Sequence, residues 1–389
     1  MVKINPHYSR LSSPYIFPVI EEKLAALSAA VPSSTVVNMG IGDIALPLAP
    51  AIVKAICSAT EEMGRKDMHK GYGPSEGYHF LRACIAKNSY EKFGVSSEEI
   101  YLSDGTNSDT VNLQELFASD CIVAVPDPTY PVYLAANIMA GRGDFITLLP
   151  CVKENGFLPQ PPSHHVDVIY LCSPSNPTGV AMKREDWEKW IAYARKEDAI
   201  IIHDHAYAAF IQSPDVPRCV YEIPGASEVV IECCSFSKTA GFTGLRCAYA
   251  VVPRTLPHNL YAMWKRRQTT KSNGVAYPIQ RGAEAAFSLE GKSQIQSQVS
   301  HYLEQAGLIY NGLTEMGYSC YGGIDSPYIW WKTPGNLSSW EFFDLLLEKC
   351  HLVAIPGQGF GPAGEGYVRL SAFTTSDKAH EALSRIRKL

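Results

Sequence analysis

A lysine, an aspartate, an asparagine, a tyrosine and an arginine stand just beyond short apolar runs of this chain. Ser173-Pro174-Ser175-Asn176-Pro177-Thr178-Gly179 follows the run from Val168 to Cys172, and Asp204, with Tyr207 three residues on, follows Ile200 to His203. Ser235-Phe236-Ser237-Lys238 follows Val229 to Cys234, with Arg246 eight residues beyond the lysine. These types suit carbonyl chemistry. A partly desolvated lysine beside other cations loses its proton more readily and becomes a nucleophile that condenses with an aldehyde. The same amine, once released, can carry a proton to or from a substrate carbon. A carboxylate such as Asp204 can keep a pyridine nitrogen protonated, so that the ring accepts electrons. Asn176 and Tyr207 are donors suited to a phenolic oxygen on such a ring.

A phosphate needs donors and positive charge. Ser103-Asp104-Gly105-Thr106-Asn107 follows Glu99-Ile100-Tyr101-Leu102 and precedes a helical stretch, so the backbone N–H groups of Gly105, Thr106 and Asn107 can form an anion site at a helix start. Ser235, Ser237 and Arg246 add hydroxyls and a two-pronged cation. Tyr130, in Asp127-Pro128-Thr129-Tyr130-Pro131, can lay its ring on an aromatic cofactor. Aldehyde, phenol, pyridine and phosphate together describe pyridoxal 5'-phosphate. Each piece alone has a plainer reading, as a turn, a helix cap or a solvated basic pair. Their shared place at strand ends favours one site, because ligands of open parallel sheets collect there.

The elements that must position these residues are also legible. From about Ala51 to Val252, short apolar runs alternate with helix-period segments, the pattern of a parallel sheet wrapped by helices. The expected strands are Cys121 to Val125, Val168 to Cys172, Ile200 to His203, Val229 to Cys234 and Cys247 to Val252. Trp187, Trp190, Ile191 and Ala194 recur at helical spacing among charged residues. Beyond about Glu290 a helical stretch, a strand from Tyr328 to Lys332, a helix through Trp340 to Cys350, a strand from Gly366 to Ser371 and a closing helix after Ser376 predict a smaller α+β lobe. The fold class is α/β, with residues 1–44 as an N-terminal arm and part of the small domain, 45–290 as the large domain and 291–389 as the small C-terminal domain.

Composition narrows the classes. In 389 residues, 46% apolar and 19% charged residues indicate an ordinary globular chain, large enough for two lobes. A formal net charge of −5 gives no reason to invoke nucleic acid, and the one basic cluster, Lys265-Arg266-Arg267, reads as a solvated helix face. No apolar window is long enough for a membrane span, and Met1 to Arg10 lacks the core of a secretory signal, so the expected location is the cytoplasm. Eleven cysteines without a Cys-x-x-Cys pair read as small buried side chains. The pairs His164-His165 and His203-x-His205 lack helix-face ligand spacing, and no metal is expected.

These motifs, with Asn5-Pro6-His7, Gly40-Ile41-Gly42-Asp43, Gly71-Tyr72-Gly73, Tyr221-Glu222-Ile223-Pro224-Gly225-Ala226, Gly241-Phe242-Thr243-Gly244 and Pro356-Gly357-Gln358-Gly359-Phe360-Gly361 leading to Arg369, extend over nearly the whole chain. In them the sequence resembles the fold-type I pyridoxal-phosphate aminotransferases of class I and II, and within these the LL-diaminopimelate aminotransferase family. The resemblance implies that Arg369 grips the substrate α-carboxylate, that Gly42 adds a backbone contact and that Asn176 also touches substrate. It implies further that Tyr72 reaches the cofactor phosphate of a neighbouring subunit, in a homodimer with shared active sites. Asn273 and Tyr15 match residues of the substrate pocket. Amino acids and 2-oxo acids are the implied partners, with 2-oxoglutarate and glutamate as the usual pair.

The sequence departs from the family where substrate length is read. Thr106-Asn107 stands where Ala-Lys usually follows Ser-Asp-Gly, and Ser75, with Glu76 one position later, stands where an acidic residue is usual. Ile44-Ala45 replaces a Thr-Thr pair. A lysine-, ornithine- or arginine-type α-aminotransferase stays open beside the diaminopimelate reading. So does elimination, replacement or cyclisation on the same scaffold, because fold alone does not fix the reaction. A non-catalytic regulator fits less well, since no basic helix-turn-helix precedes the cofactor motifs.

Overall fold

The computed structural model describes residues 2–11, 16–30 and 36–389. Seven strands form the central sheet, in the spatial order Ile100–Ser103, Ala248–Val251, Val230–Ser235, Ile200–Asp204, Val168–Cys172, Val123–Asp127 and Ile146–Pro150. All neighbours are parallel except Ala248–Val251, which runs antiparallel to the strand on either side. Side-chain alternation divides the core. Val168, Tyr170, Ile200, Ile202 and Ile231 pack on one face, and Ile169, Leu171, Ile201 and Val230 on the other. The helix Arg184–Glu197 buries Trp187, Trp190, Ile191 and Ala194 on that second face; each large side chain so buried contributes about 1.5 to 3 kcal/mol.

The expected strands are all present, Val168–Cys172 with the expected bounds and the others of the central sheet shifted by a residue or two. Ile200–Asp204 and Val230–Ser235 run one residue further than their apolar stretches, so Asp204 and Ser235 are paired within the sheet. The edge strand Ile146–Pro150 escaped the apolar pattern. It has one neighbour, and Leu148 is exposed and Pro150 ends it.

In the smaller lobe, Tyr328–Lys332 lies between Tyr367–Ser371 and Cys320–Gly322, and Ile355–Pro356 completes a four-stranded antiparallel sheet. The arm joins this lobe twice. Ile16 and Ile20 of the helix Ile16–Ala30 are buried with Phe343, Leu347 and Phe360, and Val37–Asn38 pairs in parallel with Leu352–Val353. Nearer the start, Asn5 Nδ2 donates to Met139 O at 2.9 Å and Arg10 pairs with Asp144 at 2.8 Å, on the large lobe. The lobes meet where Ala363 N donates to Asp127 Oδ1 at 3.1 Å and where Arg369, on Tyr367–Ser371, crosses to Asn176. Among the described residues no helix is long and apolar enough to cross a membrane.

Candidate active site

Lys238 lies in the short helix Phe236–Ala240, which starts where the strand Val230–Ser235 ends; Ser235 Oγ caps the helix by accepting from Ser237 N at 3.0 Å. The lysine is largely desolvated. Its Nζ donates to Gly42 O and stands 5.6 Å from the centre of the Phe373 ring. Burial lowers its pKa to about 8; Asp43 opposes the shift, and Arg369 and Arg246 add to it. A neutral amine is thus available far below the ordinary lysine value of 10.5. Because only the unprotonated form attacks an aldehyde, covalent coupling of pyridoxal phosphate to the cofactor-free chain should quicken as pH rises and level off above about 8. Stopped-flow absorbance measures this. A rate still climbing toward 10.5 would mean that burial does not act on this amine.

Asp204 is 6% exposed and burial raises its pKa. Tyr133 Oη donates to it at 2.6 Å and Ala206 N at 3.3 Å, partly offsetting the burial. Tyr207 Oη bonds Tyr328 Oη at 2.9 Å, and Asn176, in the loop after Val168–Cys172, accepts from Arg369 Nη1 at 2.6 Å. Arg369 is 3% exposed, and its guanidinium gives Nη2 to Gly40 O at 2.6 Å and lies 4.4 Å from the Tyr328 ring and 4.9 Å from the Phe360 ring. Its Nε has no partner, and it makes no ion pair among the described residues. A buried cation without an acidic partner is costly, and a substrate carboxylate would relieve the cost.

The phosphate motif converges as well. Gly105 precedes the helix Thr106–Leu113 with φ of +154°, and a Cβ there would come within 2.4 Å of Arg246 Nη2, so glycine is what lets the guanidinium close over the helix start. Arg246 Nη1 donates to Thr243 O at 3.0 Å and to Ser237 Oγ at 3.4 Å. Arg246 thereby stands beside both Gly105, where the helix Thr106–Leu113 begins, and Ser237, which Ser235 caps, so that a cation, a hydroxyl and a helix start come together. Asn107 is exposed and accepts from Tyr130 Oη at 3.1 Å, while the Tyr130 ring meets the Tyr133 ring edge-on at 5.8 Å. Gly42 faces the Tyr328 hydroxyl so closely that a Cβ would come within 2.3 Å of it.

Tyr72 and Asn273, expected to act across a dimer, are not gathered with these side chains within the one chain. Tyr72 is 92% exposed, Asn273 is exposed on a loop whose Gly274 abuts the backbone of Pro74, and Tyr15 lies outside the described residues. Glu76 is turned to Arg82 at 3.7 Å and accepts from Ser75 Oγ at 3.1 Å, so it stays with its own loop. Sequence reasoning missed Tyr133, Tyr328 and Phe373. Tyr133 falls three residues after Tyr130, a helical spacing that could have drawn notice. Tyr328 and Phe373 carry no local signal, since pairing between Tyr328–Lys332 and Tyr367–Ser371 brings them in.

A lysine with a lowered pKa, a buried carboxylate at a strand end, a phosphate cradle at a helix start and an unpaired arginine, set on this sheet with its companion lobe, define a pyridoxal-phosphate enzyme of fold type I. The residues fit the cofactor. The model for aminotransferase class I and II matches residues 34–386. LL-diaminopimelate aminotransferases of Methanosphaera stadtmanae and Lawsonia intracellularis are each 46% identical to the chain, covering 100% of it and 99% of their own length. The structure of the L,L-diaminopimelate aminotransferase from Chlamydomonas reinhardtii superposes with a TM-score of 0.94 at 39% identity, covering 100% of this chain and 98% of that one. The chain belongs to the class I and II aminotransferases, transferases that use pyridoxal phosphate and act on amino acids and 2-oxo acids.

Proposed function

We propose that this enzyme moves the α-amino group of a long, polar α-amino acid, LL-diaminopimelate first among them, to a 2-oxo acid, with 2-oxoglutarate and glutamate as the partner pair. The observation that carries this reading is the guanidinium of Arg369, buried without an acidic partner among the described residues, together with Lys238, whose pKa burial lowers to about 8. In this assignment Arg369 binds the α-carboxylate as a fork and Asn176 steadies it, while Gly42 offers its backbone. Lys238 Nζ holds the cofactor and then carries the proton at the substrate α-carbon. Asp204 would hold the ring nitrogen, Tyr207 and Asn176 the phenolic oxygen, and Gly105, Thr106, Asn107, Ser235, Ser237 and Arg246 the phosphate, and Tyr130 would support the ring. The bound cofactor supplies an electron sink for the α-carbon.

The assembly we infer is a cytoplasmic homodimer with shared sites, without nucleic-acid or membrane partners. Tyr72, 92% exposed in its own chain, supports such a role in trans, and Asn273 and Tyr15 are assigned to the substrate pocket. The division into 1–44, 45–290 and 291–389 is part of the same proposal. Its last boundary falls in the first turn of the long helix Leu289–Glu315.

Asn107 and Ser75 favour a second reading, a lysine-, ornithine- or arginine-type substrate, because neither offers charge to the far end of diaminopimelate. The test loads the enzyme with cofactor and mixes it with LL-diaminopimelate, lysine, ornithine, arginine, glutamate or aspartate, one at a time and without an acceptor. Loss of the bound cofactor's visible absorbance, with release of the matching 2-oxo acid in equal amount, identifies the donor. Product without a 2-oxo acid would reject transamination. If distal charge is what is missing, Asn107→Lys with Ser75→Glu should raise kcat/KM for LL-diaminopimelate by about tenfold, as one charge-assisted contact allows. No gain would mean that the pocket reads its substrate by other groups.

A further inference from the structure

A second charged cluster lies behind the strand ends that carry the site. His203, His205 and Glu232 are 1%, 4% and 0% exposed, and one ring nitrogen of each histidine and one carboxylate oxygen lie within 4.8 Å of one another. Alternation along Ile200–Asp204 turns the histidines to the face opposite Asp204: the His203 ring meets Trp187 at 4.5 Å, whereas Asp204 receives Tyr133.

Both nitrogens of His205 face oxygens that can only accept. Nδ1 stands 2.8 Å from Ser173 O and Nε2 3.1 Å from Arg218 O. A neutral imidazole has one N–H, so the second contact would set lone pair against lone pair; two protonated nitrogens satisfy both. His203 differs: its Nε2 stands 3.2 Å from the same Ser173 O, but its Nδ1, 3.4 Å from Glu232 Oε1, has no hydrogen-bond partner among the described residues, so one N–H suffices for it. Burial and the neighbouring His205 push the pKa of His203 down. Burial pushes the Glu232 carboxyl up, but the nearness of His203 and the charge of His205 bring it to about 2. Tyr90 donates to Glu232 at 2.7 Å, and burial raises Tyr90, Cys219 and Cys234 around it, so these three stay neutral. One negative charge at Glu232 then balances one positive charge at His205. The trio has metal-ligand chemistry, yet a doubly protonated His205 has no lone pair to offer an ion.

The contacts of His205 join separate parts of the site. Ser173 opens the loop that carries Asn176, His205 follows Asp204 directly, and His205 N donates to Cys233 O at 2.8 Å on the strand that ends in Ser235. We propose that His205 is a buried imidazolium, balanced by Glu232, that fixes the strand ends bearing Asn176, Asp204 and Ser235 and keeps Asp204 a carboxylate toward the bound pyridine ring. This rests on the pyridoxal-phosphate role given to Asp204. Burial raises the pKa of Asp204 and the charge of His205 is among the influences that lower it, which agrees with the second part.

The protonation state is read on the full chain with nitrogen-15-labelled histidines, first without cofactor and then with it. We expect one imidazole, assigned by its absence from His205→Gln or, should that variant not fold, from His205→Asn, to show both nitrogens protonated in the folded chain, as its two carbonyl contacts require. A single protonated nitrogen at His205, or a zinc-bound signal on adding Zn2+, overturns the proposal. Failure of the cofactor reading would show separately, as no binding of pyridoxal phosphate by the unaltered chain. For the positioning role, His205→Gln should weaken pyridoxal phosphate by about tenfold while leaving a carbocyclic analogue, with carbon in place of the ring nitrogen, within about twofold, because Asp204 acts through that nitrogen. Equal losses for both ligands would mean that the variant merely loosens the fold, and the charge claim would fall.

Discussion

Lys238→Ala is expected to yield a colourless, folded protein whose turnover falls by at least about a thousandfold, the scale of losing a positioned general base together with the covalent hold on the cofactor. The desolvation that lowers this amine to about 8 is a cost of placing it between Gly42 O and the Phe373 ring, so alanine need not destabilise the chain. Colour and activity are both needed as readouts. The phosphate cradle does not depend on Lys238, and the variant should still bind pyridoxal phosphate reversibly, losing it on dialysis. A variant that stays yellow through dialysis and remains active would remove Lys238 from both roles.

Arg369→Ala is expected to raise the Michaelis constant for every α-amino acid accepted and to lower kcat/KM by about a hundredfold or more, roughly 3 kcal/mol, within the range for removing one side of a buried charge pair. The change also strips Asn176 Oδ1 and Gly40 O of donors and leaves a gap between the Tyr328 and Phe360 rings, so a fold control is required. Arg369→Lys supplies one: it keeps the cation but not the fork, and should fall between the two. An unchanged Michaelis constant in the folded alanine variant would place the carboxylate elsewhere, and the proposed substrate orientation would fail with it.

Most of the cofactor site was legible because each part is local. An apolar run of four to six residues closes on the residue that emerges at its carboxyl end, so Asp204, the Ser173–Gly179 loop and the Ser235–Lys238 turn could be read one strand at a time. The Gly105 turn could be read in the same way, as a strand, a glycine and a helix start. Boundaries were less legible. Asp204 and Ser235 are polar but buried in the ladder, and the edge strand Ile146–Pro150 has too few buried side chains to stand out.

The sequence by itself determined the chemistry on offer: a lysine, a carboxylate and a glycine turn before a helix, each next to an apolar run, and strands that are mostly parallel. It did so because hydrophobic alternation and turn chemistry act over a few residues. Tertiary structure alone decided what depends on distant segments meeting. Arg369 reaches Asn176 across 193 positions of chain, Tyr328 meets Tyr207 across 121, and His205 spans from Ser173 O to Arg218 O with Glu232 as its counter-charge. His203-x-His205 was a bare spacing in the sequence. Its contacts became readable once the sheet had fixed which oxygens face each nitrogen.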